Sequence, residues 1–128
     1  MQKIFLVAGT LLGGLAVALG AFGAHGLKKI ADADTVSIYQ TGVQYQMYHA
    51  LALLLCGVLA DRYQGGQLSY AGVLFITGIL FFSGSLYLIS ALKATGRAVP
   101  SLVGIMTPFG GLLFIAGWLL LLIAVLKK

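Results

Sequence analysis

Charged positions cut this chain into four long apolar runs. The eight basic and three acidic residues fall into five clusters: Lys3; Lys28, Lys29, Asp32 and Asp34; Asp61 and Arg62; Lys93 and Arg97; Lys127 and Lys128. Between them, residues 4–27, 35–60, 63–92 and 98–126 form runs of 24, 26, 30 and 29 residues without a formal charge. About 20 residues of helix cross a hydrocarbon layer, so each run can hold one transmembrane helix. The pattern predicts spans at about 4–24, 38–60, 68–92 and 102–126, joined by three short loops. The expected fold is all-α: an integral membrane four-transmembrane-helix antiparallel bundle, with residues 1–128 as a single domain.

The runs differ in texture. In span one, Gly9, Gly13, Ala16, Gly20 and Ala24 recur at spacings of four, three, four and four. They place small residues on one face, where another helix can approach closely. Span two is split. Its second half is apolar, whereas residues 39–49 carry Tyr39, Gln40, Gln44, Tyr45, Gln46, Tyr48 and His49. Such groups need partners inside hydrocarbon, so this half is expected to face spans one, three and four rather than lipid. Asp34 or Thr35 offers an N-cap for span two. Span four carries Pro108 near its start, which removes a helix hydrogen bond. It also carries Trp118 well inside, whose indole N–H needs a partner there or a tilted helix.

Composition agrees with a membrane chain: 60% of residues are hydrophobic and the mean hydropathy is +1.03. The net charge of +5 does not indicate a nucleic-acid surface, because the basic residues sit singly or in pairs at helix ends. The first run, Ile4 to Ala24, exceeds the roughly 7–15 apolar residues of a signal sequence. The side holding both termini carries Lys3, Arg62, Lys127 and Lys128, and the other carries Lys28, Lys29, Lys93 and Arg97. The positive-inside rule is therefore tied. The double lysine at the chain end, and the acids Asp32 and Asp34 across the membrane, favour termini in the cytoplasm. Dual insertion is the alternative.

Candidate chemistry is sparse. The single cysteine, Cys56, excludes a disulfide within the chain and a cysteine-based metal site, and reads as a packing residue of span two. The runs contain no Asp or Glu, which argues against a proton-coupled antiporter of similar size. Ser83 or Ser85 with His49 lacks a buried carboxylate to orient a base. Haem would need His25 and His49 level on facing helices, and no further ligand is available. No catalytic residue, metal or cofactor is expected. His25 reads as a cap at the end of span one, and His49 as a hydrogen-bonding partner of a neighbouring helix.

Depth gives the one positive signal. His25, Gln44, Tyr45, Tyr48, His49, Ser85 and Thr107 all count towards the half of the bilayer bordered by the Lys28 and Lys93 loops. Gly20, Gly84, Gly110 and Gly111 lie at similar depth and, with Gly9 and Gly13, are candidates for close helix packing. Convergent polar groups in an apolar bundle suggest a ligand pocket lined by those seven side chains. The competing reading is hydrogen-bonded glue between helices.

The same segments carry a family resemblance. Gly20-Ala-Phe-Gly-Ala-His-Gly-Leu27, Thr41-Gly-Val-Gln-Tyr-Gln-Met-Tyr-His-Ala-Leu-Ala-Leu-Leu54, Gly84-Ser-Leu-Tyr87, Thr107-Pro-Phe-Gly-Gly111 and Gly117-Trp118 occur in order along the chain. Together they resemble the small bacterial membrane proteins called domain of unknown function 423, to which eukaryotic transmembrane protein 256 is similar. The resemblance implies a four-span membrane protein and brings no catalytic residues with it.

These features support three functional expectations. The first is a non-enzymatic protein of the bacterial cytoplasmic membrane that associates with itself or with a larger membrane complex. The second is a binder or carrier of lipid or a small apolar molecule, with membrane lipids as partners. The third, an enzyme or haem protein, ranks last.

Overall fold

The computed structural model describes residues 2–127. Four helices are long and apolar enough to cross a membrane: α1 (Lys3–Ile30), α2 (Ala33–Leu59), α3 (Gln67–Ala94) and α4 (Ser101–Leu126). They run up, down, up and down. α1 packs on α2, α2 on α3, and α3 on α4. The turns after α2 and α3 each use a glycine with positive φ, Gly65 at 109° and Gly96 at 74°.

The spans are longer at the loop side than the charge pattern suggests. α1 continues past Ala24 through a π-helical turn, Gly23–Leu27, and ends at Ile30. α2 begins at Ala33 rather than near residue 38, because Asp32 is its N-cap. The Asp32 Oδ1 accepts from the Thr35 N–H at 2.8 Å. Asp34, expected as a possible cap, lies in the first turn and bonds Lys93 Nζ at 2.8 Å. A second π turn, Ile79–Ser83, interrupts α3.

Close packing is set by glycines that face other helices. A Cβ on Gly9 would lie 2.8 Å from the Ala50 carbonyl oxygen, and one on Gly20 would meet Val43 at 3.3 Å. Gly13 also faces Ala50, at 3.8 Å. Gly110 lies against the backbone of Phe81 and Phe82, directly at the π turn of α3, and Gly111 lies beside the Phe82 ring. Gly84 meets only the carbonyl of Ile79 in its own helix. The π turn and Gly110 thus meet at one place, where α3 and α4 touch main chain to main chain.

The apolar core lies towards the end of the bundle that holds the termini. It joins Phe5 of α1, Leu53 and Cys56 of α2, Ala71 and Phe75 of α3, and Leu121 of α4. Cys56 is fully buried there, in the packing role expected for it. Phe75 fits against Gly117, whose missing side chain makes the room.

Candidate functional site

α2 carries most of the polar groups, and its 27 residues span about 40 Å against a hydrocarbon layer of about 30 Å. Its midpoint is Gln46, which is buried. The Gln46 Nε2 donates to the Leu12 carbonyl at 2.8 Å, and the Tyr87 hydroxyl donates to Gln46 Oε1 at 2.6 Å. One side chain therefore ties α1, α2 and α3 together at mid-depth. The Tyr39 hydroxyl donates to the Leu19 carbonyl at 2.6 Å, and Ser83 Oγ donates to the Gly42 carbonyl at 2.7 Å. These bonds use carbonyls that helical bonding leaves with a spare lone pair.

His49, also buried, lies one turn past that midpoint on α2. Its Nδ1 lies 2.7 Å from the Tyr45 carbonyl, and the Trp118 indole N–H donates to its Nε2 at 3.0 Å. The ring stacks on Phe114 with centroids 3.6 Å apart and planes at 9°. Phe75 and Trp118 close the edges at 5.4 and 5.8 Å. A carbonyl can only accept and an indole N–H can only donate. The imidazole is therefore the Nδ1-protonated tautomer, with both nitrogens committed. It has no lone pair free for iron or for deprotonating a serine. The candidate serines are engaged too: Ser83 at Gly42, and Ser85 with the Phe82 carbonyl at 2.8 Å and with Thr107 Oγ1 at 2.6 Å. No side-chain nitrogen or oxygen of the described residues is buried without a hydrogen-bond partner.

The seven residues expected to line one pocket fall into four places. Ser85 and Thr107 do meet, as a hydroxyl pair joining α3 and α4. Tyr45 and His49 belong to an aromatic cluster, with the Tyr45 ring 4.6 Å from Phe82. His25 is exposed at the end of α1, where Nδ1 lies 3.0 Å from the Ala21 carbonyl of its own helix. Gln44 and Tyr48 are exposed on the outer face of α2. The expectation that the whole polar half of α2 faces its neighbours therefore holds for Tyr39, Gln46 and His49 and fails for Gln44 and Tyr48. Residues two apart on a helix point roughly 200° from each other, so Gln44 turns out where Gln46 turns in. Gln46, Tyr39, Tyr87 and Ser83 bear further interhelical bonds but are not among those seven. For the α2 members the signal is the i, i+3 and i+7 spacing of Tyr39, Gly42 and Gln46, which puts them on one face.

Two open grooves mark the surface. One of about 480 Å³ lies at the loop side between the end of α1 and the start of α2, with Lys28, Ser37 and Gln40 around Ala24, Ala31 and Ala33. The other, about 280 Å³, lies at the termini side beside Arg62, Gln64 and Lys127. Neither contains any of the seven expected residues.

The fold and its polar contacts define a four-span membrane protein in which buried Gln46, His49, Ser83 and Ser85 bond one helix to another. Residues 19–111 match the family described as Protein of unknown function (DUF423), and the chain belongs to that family. It is 43% identical to the UPF0382 membrane protein YwdK of Bacillus subtilis (strain 168), with 98% of each chain covered. It is 41% identical to the UPF0382 membrane protein SH2409 of Staphylococcus haemolyticus (strain JCSC1435), also with 98% of each chain covered. It is 44% identical to the UPF0382 membrane protein SAB0533 of Staphylococcus aureus (strain bovine RF122 / ET3-1), at the same coverage. No solved structure matches this chain.

Proposed function

We propose that this protein is a non-enzymatic component of the bacterial cytoplasmic membrane that works by lateral association, with a second copy of the chain docking on the outer face of α2. The observation that carries this reading is the exposure of Gln44 and Tyr48 near the bilayer mid-plane. Each is two residues from Gln46, or about 3 Å along the helix. Tyr48 is 54% exposed, and its ring touches only Tyr45 among the aromatic contacts. The Gln44 amide has no hydrogen-bond partner among the described residues.

An amide facing acyl chains is unfavourable, and polar side chains at that depth are found facing partners. Glutamine carries both donor and acceptor. It is therefore self-complementary across a two-fold axis, where the same patch meets itself. Leu51, 56% exposed, continues the same face. The small-residue faces of α1 and α4 are largely used within the chain, as at Gly9, Gly20, Gly110 and Gly117, which leaves α2 as the better surface. The commitment of His49, Ser83 and Ser85 to structural bonds supports a protein without catalysis. We place both termini in the cytoplasm, on the side of Arg62 and Lys127, opposite the loop that holds Asp32 and Asp34.

Native mass spectrometry of the protein released from membranes tests this reading. The expected result is a dimer or higher oligomer, weakened in the Gln44→Leu, Tyr48→Phe double variant. A strictly monomeric wild type, at every protein-to-lipid ratio, would overturn it.

A further inference from the structure

We propose that the loop-side groove between α1 and α2 holds the phosphate of an anionic membrane phospholipid. This goes beyond lateral association and uses different residues. The groove of about 480 Å³ is bordered by Lys28, Ser37 and Gln40. The Lys28 ammonium, the Ser37 hydroxyl and the Gln40 amide have no side-chain hydrogen-bond or ion-pair partner among the described residues. A cation, a hydroxyl and an amide, converging without a carboxylate among them, are the donor set that a phosphodiester takes.

The charges nearby sharpen this. The loop has two acids, and both are engaged elsewhere. Asp34 pairs with Lys93 at 2.8 Å. Asp32 accepts from Thr35, and that hydrogen bond, with Lys93 adding to it, holds its carboxyl below the usual range. Lys28 is left without a neutralising partner on the opposite side of the loop. The π turn Gly23–Leu27 matters for this placement. It takes one more residue than an α turn, so it rotates the residues after it by about 100° relative to an unbroken α-helix. Lys28 is the first residue past that turn and lines the groove.

Depth and shape select a lipid over a free anion. Lys28 sits at the membrane surface, whereas Ser37 and Gln40 lie about 6 and 10 Å along α2 from Ala33. That is the range from headgroup to glycerol ester. The apolar lining between them is Ala24, Ala31, Ala33 and Val36, of which the three alanines leave width for a glycerol backbone and its first methylenes. Inorganic phosphate would use Lys28 and leave that apolar lining uncovered.

The test uses the full-length protein in nanodiscs of phosphatidylcholine with or without phosphatidylglycerol, with native mass spectrometry of the retained lipid. Wild type is expected to retain phosphatidylglycerol in preference to phosphatidylcholine. Lys28→Gln is expected to lower that retention about fivefold, the effect of one basic residue at a membrane surface. Ser37→Ala lowers it further, and Lys29→Gln leaves it within twofold. Millimolar inorganic phosphate displaces none of it. Equal loss in Lys28→Gln and Lys29→Gln would mean nonspecific surface charge and overturn the site. Displacement by inorganic phosphate would make it a free-anion site and overturn the lipid assignment. Lys28 is exposed, so the Gln variant is expected to fold, and its unchanged circular dichroism confirms that any loss is local.

Discussion

Trp118 donates its indole N–H to Nε2 of His49 across 3.0 Å, and this single bond joins α4 to α2. It also fixes the form of the imidazole, because the other nitrogen is taken by the Tyr45 carbonyl at 2.7 Å. The only tryptophan and one of the two histidines of the chain thus form a neutral structural pair. Nitrogen-15 NMR of histidine-labelled protein in lipid should show one ring with the proton on Nδ1. A His49 signal from the Nε2-protonated tautomer would contradict the arrangement.

Replacing Trp118 by Phe removes the donor and keeps much of the ring. Interhelical hydrogen bonds in membranes contribute about 0.6 kcal/mol on average and up to about 1.7 kcal/mol. Trp118→Phe should therefore destabilise by about 1 kcal/mol. His49→Ala should cost more, since it also opens a cavity beside Phe114 and Phe75. Unfolding measured in bicelles distinguishes the two; equal stability of His49→Ala and wild type would mean the cluster is not formed.

Gln46 and Tyr87 should be coupled. The Tyr87 hydroxyl donates to Gln46 Oε1 at 2.6 Å, at the midpoint of α2. A double-mutant cycle of Gln46→Leu and Tyr87→Phe should give an interaction energy of about 0.5–1.5 kcal/mol. Additive single effects would mean that the two side chains do not share a bond in the membrane.

How far the sequence reaches is clear from these residues. The spans were legible because a charge inside hydrocarbon is costly, so eleven charged residues outline four helices. The loop-side ends were not, because they depend on contacts made in space. The π turn at Gly23 packs against the Tyr39 ring, and the N-cap is Asp32 only because Ala33 and Asp34 are already helical. The polar residues of α2 were legible as a group and in depth. Their azimuth was not, since it depends on which neighbours α1, α3 and α4 present. Hence Gln46 and His49 face inward with named partners, while Gln44 and Tyr48 face outward. The sequence leaves the Trp118 indole either a partner or a tilted helix, and only the packing of α4 on α2 supplies the partner, His49.

Two glycines of α4 should respond oppositely to the same change. A Cβ at Gly110 would press into the backbone of Phe81 and Phe82, whereas one at Gly104 has nothing within 4 Å. Gly110→Ala should destabilise by about 1–3 kcal/mol, the range for overpacking. Gly104→Ala should be neutral or slightly stabilising, since alanine is the better helix former. Thermal unfolding of both variants in one detergent checks the contrast, and a neutral Gly110→Ala would mean that α3 and α4 do not meet main chain to main chain.

Asp32 should contribute to the start of α2 only while ionised. Its carboxyl is held below the ordinary value of 3.8 by the Thr35 hydrogen bond. A lowered folded value means the contribution is present at neutral pH and is lost as the pH falls through that value. Near neutral pH, Asp32→Ala should show faster amide exchange at Thr35 than wild type. In acid well below the usual carboxylate range the difference should vanish. A difference that persists there would mean that the cap does not depend on the charge.

Crosslinking tests the proposed association face most directly. Copies inserted in one orientation place equivalent residues of a two-fold interface at the same depth, so a residue beside the axis meets its own counterpart. Cys56 is fully buried and can be replaced by alanine to remove the background. Leu51→Cys on the α2 face should then form an intermolecular disulfide in native membranes on mild oxidation. Leu112→Cys, also exposed to lipid on α4, should not. Adding Gln44→Leu should lower the Leu51→Cys yield. Equal crosslinking at both positions, or none at Leu51→Cys, would contradict a dimer built on α2.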